Sequence, residues 1–348
     1  MQDKGLYVES TNPISLYASN YASASYDATI VLPVTGLGDE YVIQLFESTS
    51  LFYEGNYKEF SLIATENNTK VRITPHAHTR DGGKPSVPYE ITLQKGQTYL
   101  VESGDENLNL SGSHIISNYP IAVFAGHQCA LIQDGNIACD HIVEQQLPVN
   151  MWGKKFALTK TYGQTGDYVM LTTTSDKTEV FVNGTLHTTI NKYDSYTFRL
   201  TDGSAFVETS NPVACYLYVE GGAANGGNSD PSSVLISPIE QRVQEVTFAT
   251  FETNLSRSHY VNVVTTKNGA NDMTLDASSI SNKFQPLKGN DEFVFAQIPI
   301  AHGTHTLSTN KDGFIGHVYG LGHYESYAYS VGSSTLDLSG RIIIEGVI

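Results

Sequence analysis

The sequence has few basic residues and no long apolar run. Lys and Arg total 20 against 36 Asp and Glu residues, a formal net charge of −16. Since affinity for a nucleic-acid backbone depends on clustered Lys and Arg, this balance argues against nucleic-acid binding. No apolar run approaches the roughly 18–20 residues that a membrane-spanning helix needs, so we expect no membrane insertion through such a helix.

Helical periodicity is also missing, whereas residues that favour strands and turns are abundant. No window with a helical apolar period extends beyond about two turns. The chain contains 21 Tyr and 30 Gly residues. Tyr, with Thr and Val, suits half-buried strands, and Gly, with Asn, suits turns. We therefore expect an all-β fold of antiparallel strands.

One segment, which we call block A, recurs four times. Each copy is a strand-like stretch, a turn with Asn or Tyr before Pro, and a second strand-like stretch. The copies are residues 7–20 (YVESTNPISLYASN), 114–127 (HIISNYPIAVFAGH), 206–219 (FVETSNPVACYLYV) and a degenerate 314–327 (FIGHVYGLGHYESY). The aligned prolines of the first three copies are Pro13, Pro120 and Pro212. Such self-similarity predicts one structural unit that is used repeatedly.

A second segment, block B, follows the first three copies of block A. It starts with an Asp, passes through a Pro and ends in an apolar strand pattern. Its copies are residues 27–43, 140–158 and 230–248, with the aspartates Asp27, Asp140 and Asp230 and the prolines Pro33, Pro148 and Pro238. The shared Asp is predicted to cap the entry to a strand in all three copies.

Two further segments complete the pattern. In block C, alternating apolar residues flank a polar turn, which predicts a β-hairpin. Block D reads as another pair of strands around a turn. Block C covers residues 60–74, 167–184 and 259–276, and block D covers residues 91–103, 188–201 and 284–296.

This order predicts a single repeat-built all-β domain over residues 1–348, with three repeats of about 100 residues, each a β-sandwich or propeller-like unit. The predicted divisions are 1–158, 159–250 and 251–348, the last with a terminal strand RIIIEGVI at 341–348. If the third unit is completed by the N-terminal A and B segments, the assembly closes with pseudo-threefold symmetry and no exposed sheet edge. Three serial sandwiches are the alternative.

The stretch 126–156 concentrates the residues that are able to do chemistry. Cys129 and Cys139 flank the turn signal Asp134-Gly135-Asn136, which brings them together across a short loop. In an oxidising compartment they are expected to form a disulfide. The alternative is a zinc site with His127 and His141 as the other two ligands. The third cysteine, Cys215, lies in an apolar strand pattern and is expected to be a buried free thiol.

Acid–base chemistry is a further alternative for this stretch. Asp140, His141 and Glu144 are carboxylates near an imidazole, a combination that suits a general acid and base. No nucleophile elbow, P-loop or H-E-x-x-H motif accompanies them. Strand capping by Asp140 and backbone hydrogen bonding by Glu144 and Gln145 are the simpler interpretation. Trp152, the single Trp, is expected to be a packing anchor in the core or between units.

The segments SNYPIAVFAGHQC and CDHIVEQQLPVNMWGKKF, with NPISLYASNYASASYDATIVLPVTGLGDEY in the first copy, resemble the N-terminal domain family of IgGFc-binding protein. The resemblance spans residues from about Leu6 to Tyr329. It implies a secreted or surface location, pairing of Cys129 with Cys139, and binding or adhesion in place of catalysis. It does not transfer a ligand.

The expected function is a non-catalytic extracellular or cell-surface recognition or adhesion module that binds protein or glycan, such as mucus components or host glycoproteins. We expect a removed signal peptide and no cofactor, and leave oligomer formation open. Candidate binding or structural residues are His127, Asp140, His141, Glu144, Gln145 and Trp152. A self-assembling subunit of a surface layer or appendage is the alternative, followed by a metal-dependent hydrolase.

Overall fold

The structure is a computed structural model that describes residues 1–22, 25–48, 56–132, 139–222, 229–251, 256–331 and 333–339. Within these ranges it is an all-β structure with curled sheets, as the sequence predicts. The single α-helix of the described residues is the short α1 (Lys267–Ala270). The predicted turn at 134–136 and the predicted strand at 341–348 lie outside the described residues.

The N-terminal part forms a hairpin of β1 (Tyr17–Ala22) and β2 (Ser25–Ile30). A first seven-stranded sheet follows, in the order β6-β5-β8-β4-β7, with β3 and β9 also paired with β8. Its strands are β3 (Gly38–Val42), β4 (Lys58–Ala64), β5 (Thr69–Thr74), β6 (Tyr89–Leu93), β7 (Thr98–Glu102), β8 (His114–Ala130) and β9 (Asp140–Gln145).

A second seven-stranded sheet repeats this connectivity strand for strand. Its order is β13-β12-β15-β11-β14, with β10 and β16 also paired with β15. Its strands are β10 (Gly153–Thr159), β11 (Asp167–Thr173), β12 (Thr178–Val182), β13 (Thr185–Ile190), β14 (Ser195–Leu200), β15 (Ser204–Val219) and β16 (Ser232–Leu235).

The third part distributes its strands over two sheets, β17-β23-β19-β20 and β21-β22-β18-β24-β25. Its strands are β17 (Glu245–Ala249), β18 (Ser256–Thr266), β19 (Thr274–Leu275), β20 (Ser278–Ser279), β21 (Gln285–Pro286), β22 (Phe293–Ile300), β23 (Thr304–Ser308), β24 (Phe314–Gly322) and β25 (Glu325–Ser330). This part therefore departs from the pattern of the first two. The threefold repeat, the propeller arrangement and the divisions at 158 and 250 stay predictions.

The prediction of a hairpin for block C is wrong. β4 and β5 both exist where the alternation places them, but they do not pair with each other: both pair antiparallel with β8, β4 along residues 121–127 and β5 along residues 114–117. β11 and β12 likewise pair with different parts of β15. The block D strands of the first two copies also do not pair with each other, whereas β21 and β22 of the third copy pair directly. The physical reason is that a long strand accepts neighbours along both halves: β8 pairs with β5 at Ile115 and with β4 at Val123.

Four hairpins share one hydrogen bond. Three are formed by block A and the start of block B, and the fourth is formed by β24 and β25. In each hairpin, a backbone N–H just beyond the second strand donates to a carbonyl of the block A segment. The bonds run from Val31 N to Leu16 O, from Gln146 N to Val123 O, from Ile236 N to Cys215 O and from Val331 N to Gly316 O, at 2.8–3.0 Å. Gly316 is thus the equivalent of Cys215. The predicted alignment of the degenerate copy, which set Phe314 against Phe206, is wrong because a turn separates β23 from β24 there.

The second strands of these hairpins meet at the centre of the molecule. β2 packs against β9 and β25, and β16 packs against the same two strands. Tyr26 and Ala28 of β2 belong to the same apolar core as Tyr327 and Tyr329 of β25. The N-terminal hairpin therefore packs on the last described strand, and the pseudo-threefold closure stays a prediction.

The aligned prolines of block B occupy one conformation. Pro33, Pro148 and Pro238 each precede a 3₁₀ helix, with φ between −63° and −65° and ψ between 151° and 155°. The 3₁₀ helices span Val34–Gly36, Val149–Met151 and Ile239–Gln241. A proline suits the entry to a helix because its φ is already fixed near the required value.

Candidate functional site

The predicted disulfide between Cys129 and Cys139 is present, with the two Cα atoms 5.0 Å apart. It joins the end of β8 to the residue just before β9. Because both sulfurs are bonded to each other, they are not thiolate ligands, and the alternative zinc site with His127 and His141 is wrong. The third cysteine, Cys215, is free and buried as predicted.

His127 lies on β8 with its side chain buried. Its Nδ1 accepts a hydrogen bond from the backbone N–H of Cys129 at 3.1 Å. Burial lowers the pKa of His127 to about 3, and the charges of Lys58 and His141 act in the same direction. The imidazole is therefore neutral at physiological pH and holds the backbone next to the disulfide.

Asp140 and His141 begin β9 and do not form a pair with each other through their side chains. The buried Asp140 carboxylate accepts from its neighbour's backbone N–H through Oδ1 (2.7 Å) and from Tyr26 N through Oδ2 (3.2 Å). Burial, and then the charge of Asp230, raise the pKa of Asp140. The His141 ring lies on the other side of the strand, where its Nδ1 is 3.3 Å from Asn20 Nδ2. Burial lowers the pKa of His141.

Glu144 and Gln145 connect β9 to β2. Thr29 Oγ1 donates to Glu144 Oε1 at 2.7 Å, and Leu32 N donates to Gln145 Oε1 at 2.8 Å. The backbone N–H of Gln145 donates in turn to Thr29 Oγ1 at 2.9 Å. Both side chains are almost completely buried, and burial raises the pKa of Glu144 well above its usual value. β2 and β9 are thus joined by side chains where no backbone ladder links them.

Asp27, which lies on β2, also joins strands through its side chain. Its Oδ2 accepts from Val143 N at 3.0 Å and from Ser233 N at 3.4 Å, so one carboxylate joins β2 to β9 and β16. Its Oδ1 accepts from the next backbone N–H, as Asp140 Oδ1 does. Of these two aspartates, only Asp140 is among the site residues predicted from the sequence, although Asp27 has the same place in the block B alignment.

The three aligned aspartates lie at one buried junction. Asp27, Asp140 and Asp230 are each at most 1% exposed. Asp140 and Asp230 interact electrostatically, and so do Asp140 and Asp27. Asp140 begins β9 and accepts from the backbone N–H after it, as predicted. Asp27 makes the same bond from inside β2, and Asp230 donates its own N–H to Ser326 Oγ at 2.8 Å.

The arrangement joins strands and does not present reactive groups to solvent. Its carboxyl groups are buried, their pKa values are raised, and most of their partners are backbone N–H groups. Among the residues that the structure describes, no three His, Cys, Asp or Glu side chains are placed to hold a metal ion. We call this cluster of Asp27, Thr29, Asp140, Glu144, Gln145, Asp230 and Ser233 the polar junction.

Trp152 lies beside the polar junction, between the first two sheets. It is 1% exposed, and its Nε1 donates to Leu147 O at 3.1 Å. It belongs to an apolar cluster that also contains Ala130 of β8 and Tyr216 of β15. The ring is therefore part of a core to which both seven-stranded sheets contribute.

Comparison with known proteins identifies the family of the chain. A family model described as IgGFc binding protein matches residues 27–320. The human IgGFc-binding protein is 28% identical over 176 residues, which is 51% of this chain and 3% of that protein. The chain thus spans a small part of the length of this relative. In the part of the chain that the structure describes, no helix is long and apolar enough to cross a membrane. The chain belongs to the IgGFc-binding protein family.

Proposed function

We propose that the chain is a non-catalytic extracellular or cell-surface recognition module that binds a protein or glycan ligand. Membership of the IgGFc-binding protein family, which suggests an extracellular protein-binding module, supports this proposal. The human relative is named for binding the Fc part of immunoglobulin G. An extracellular glycoprotein is therefore the class of ligand to test first.

The non-catalytic part of the proposal rests on one observation: the candidate acid–base groups are already hydrogen-bonded within the fold. The carboxyl groups of Asp140 and Glu144 are buried and hydrogen-bonded to β2. An acid or base in catalysis has to reach the proton that it transfers. These groups hold strands together, which supports a binding scaffold.

Two further observations support an extracellular recognition role. The disulfide between Cys129 and Cys139 is typical of proteins in an oxidising compartment. Tyr side chains, which supply large amphipathic contacts at low entropic cost, are exposed on the surface. The most exposed are Tyr7, Tyr21, Tyr119, Tyr162 and Tyr324.

The test is a binding panel on the immobilised chain by biolayer interferometry. The analytes are human immunoglobulin G Fc, Fc from which the glycan has been removed, a purified mucin, the same mucin after removal of its glycans, and serum albumin. We expect saturable binding to Fc or mucin that albumin does not reproduce. Equal binding before and after glycan removal indicates a protein epitope. Failure of every glycoprotein to bind above albumin would overturn the proposal.

Self-assembly into a surface layer or appendage is the second candidate. The uncharged strand β1 (YASNYA), exposed from Ala18 to Ala22, favours it, because exposed strand edges pair with other chains. Light scattering over a range of protein concentrations tests it. Growth of particles with concentration is expected for a self-assembling subunit, and a constant monomer mass excludes it.

A further inference from the structure

β1 pairs with β2 and with no other strand of the described part of the chain. The pairing runs from Tyr17↔Ile30 to Ala22↔Ser25. Ala18 to Ala22 are exposed, and Tyr17 is partly buried. Within the described residues, one edge of β1 is therefore an open sheet edge.

The strands that correspond to β1 in the other three hairpins have a neighbour on this edge. Leu16 corresponds to Val123, Cys215 and Gly316 through the shared hairpin hydrogen bond. Opposite those three positions lie Leu62 of β4, Leu171 of β11 and Val263 of β18, all antiparallel and all fully buried. In each case the position opposite is thus an apolar residue of an antiparallel strand.

The N-terminal copy of block A exposes positions that its sister copies bury. Val8 and Ile14 are 52% and 56% exposed. The equivalent positions in the second and third copies, each 0% exposed, are Ile115, Ile121, Val207 and Val213. Leu6 and Tyr7, at 94% and 70%, extend this exposed apolar stretch. The sequence of this copy is therefore suited to a covered strand.

The hydrogen-bonding groups on the open edge follow from the hairpin geometry. Val31 N donates to Leu16 O, which assigns Leu16 and the alternate residues after it to bonds with β2. The backbone groups of Tyr17, Ser19 and Tyr21 then point to the open edge. β1 contains no charge and no proline, the usual devices that protect such an edge.

We propose that this edge binds an extended strand of a protein ligand by antiparallel β-augmentation, with an apolar ligand residue opposite Leu16. The inference rests on the proposed protein-binding function and names its surface. Main-chain hydrogen bonds supply affinity in this binding mode, and alternate side chains supply specificity. The expected ligand segment has alternating apolar residues, as β4 has in KEFSLIA.

The charge of the chain favours a strand of another protein over a second copy of this chain. Each copy has a formal net charge of −16, so two copies repel each other, whereas a segment with basic flanks is attracted. β1 is also continuous with the packed interior. The Tyr17 ring lies 4.5 Å from the Tyr329 ring, and its hydroxyl donates to Thr247 O at 3.5 Å. A strand added to β1 extends a sheet that already packs on the core.

The test uses a synthetic peptide that carries the β4 sequence, KEFSLIA, with two lysines at each end and a fluorescent label. Binding to the whole chain is followed by fluorescence anisotropy, and its location by hydrogen exchange. A scrambled peptide of the same composition is the control ligand. Ser19→Pro is the informative variant, because it removes an N–H from the open edge and leaves the bonds to β2 in place. Ser19→Ala is its matched control.

We expect saturable binding, new exchange protection within residues 16–22, and binding that is at least about tenfold weaker in Ser19→Pro than in Ser19→Ala. Equal melting temperatures of the two variants show that the fold is retained. Equal binding by both variants, protection elsewhere in the chain, or binding of the scrambled peptide would overturn the inference. A dimer that is lost in Ser19→Pro would replace it with self-pairing. If both variants still bind Fc or mucin, the ligand does not bind at the edge of β1, and the proposed function stands.

Discussion

The Asp27 carboxylate accepts a hydrogen bond from the backbone N–H of Val143 at 3.0 Å, across 116 residues of sequence. The same oxygen accepts from Ser233 N, so one side chain joins β2, β9 and β16. Buried backbone N–H groups need a partner, and where no ladder provides one a side chain has to. The polar junction therefore stabilises the centre of the fold.

Asp27→Ala is expected to lower the free energy of unfolding by about 3 kcal/mol, because it leaves the N–H groups of Val143 and Ser233 buried without an acceptor. Asp27→Asn keeps one carbonyl oxygen and is expected to cost less. Urea unfolding followed by circular dichroism measures both. Asp291→Ala, which removes an exposed carboxylate, is the control. A loss in Asp27→Ala no larger than in the control would contradict the structural role.

Stability is expected to fall as pH rises from about 6.5 to 8. Burial raises the pKa of Asp167 from 3.8 to about 8 and also raises the pKa values of Asp140 and Asp230. A carboxyl whose pKa is raised in the folded state contributes stability that is present below its unfolded pKa and is lost as pH rises through the folded pKa. Thermal unfolding measured at several pH values checks this, and Asp167→Asn is expected to flatten the decline.

Buried histidines cause the stability to fall as the pH is lowered. Burial lowers the pKa of His127 to about 3 and that of His317 to about 4. Their contribution is present above the unfolded pKa of 6.5 and is lost as pH falls towards the folded values. Above pH 6.5 only the buried carboxyl groups change the stability with pH, so thermal unfolding is to be compared between pH 6.5 and 8. A melting temperature that rises between pH 6.5 and 8 would contradict the assignment.

The sequence predicts the strands of this fold better than their partners. Alternation in block C correctly indicates strands at β4 and β5, because it reports which side chains face the core. It does not report that both strands pair with β8 and not with each other. Pairing depends on contacts between segments about 50 residues apart, such as Val71 with Ser117, and local periodicity does not carry this information.

The position of the candidate site can be predicted from the Cys, Asp and His residues that are concentrated in one stretch. Its structural role is indicated by the alignment of the block B copies. The stretch with Cys129, Cys139 and Asp140 does lie at the polar junction. Thr29 and Ser233, which complete it, have no local signal, since a buried Thr or Ser on a strand has the same sequence pattern as an exposed one. Asp27 had a signal, its place at the start of block B.

The disulfide is expected to contribute about 2–3 kcal/mol, as it closes a loop with a sequence separation of 10. The variant with Cys129→Ser and Cys139→Ser should unfold at lower urea with the same overall circular dichroism. Thiol titration provides the check on pairing: one thiol, Cys215, reacts in denaturant without reductant, and three react after reduction. Three reactive thiols before reduction would contradict the pairing.

Trp152→Ala is expected to cost about 3–5 kcal/mol, because it empties a fully buried site between the first two sheets. Trp152→Phe should cost less, since it keeps most of the packing and loses the bond to Leu147 O. The single Trp is also a fluorescent probe of its own burial. Its fluorescence should be blue-shifted in the folded chain and poorly quenched by acrylamide, and strong quenching in the native state would contradict its burial.

Gly153, the first residue of β10, lies very close to Pro238, which precedes the third 3₁₀ helix. A Cβ placed there would lie 2.3 Å from the Cβ of Pro238, and one at the equivalent Gly38 would lie 2.5 Å from the Cβ of Pro148. A proline ring is stiff, so the backbone has to move to relieve the clash. We expect Gly153→Ala to lower the free energy of unfolding by about 1–3 kcal/mol.

Gly203→Ala is the matched control for Gly153→Ala. Its new methyl group would meet only the Phe295 ring, at the ordinary contact distance of 3.9 Å. Both variants add the same methyl group and restrict the unfolded chain in the same way, so the difference between them isolates the contact with Pro238. Urea midpoints that coincide for the two variants would show that this contact between repeats is not close in solution.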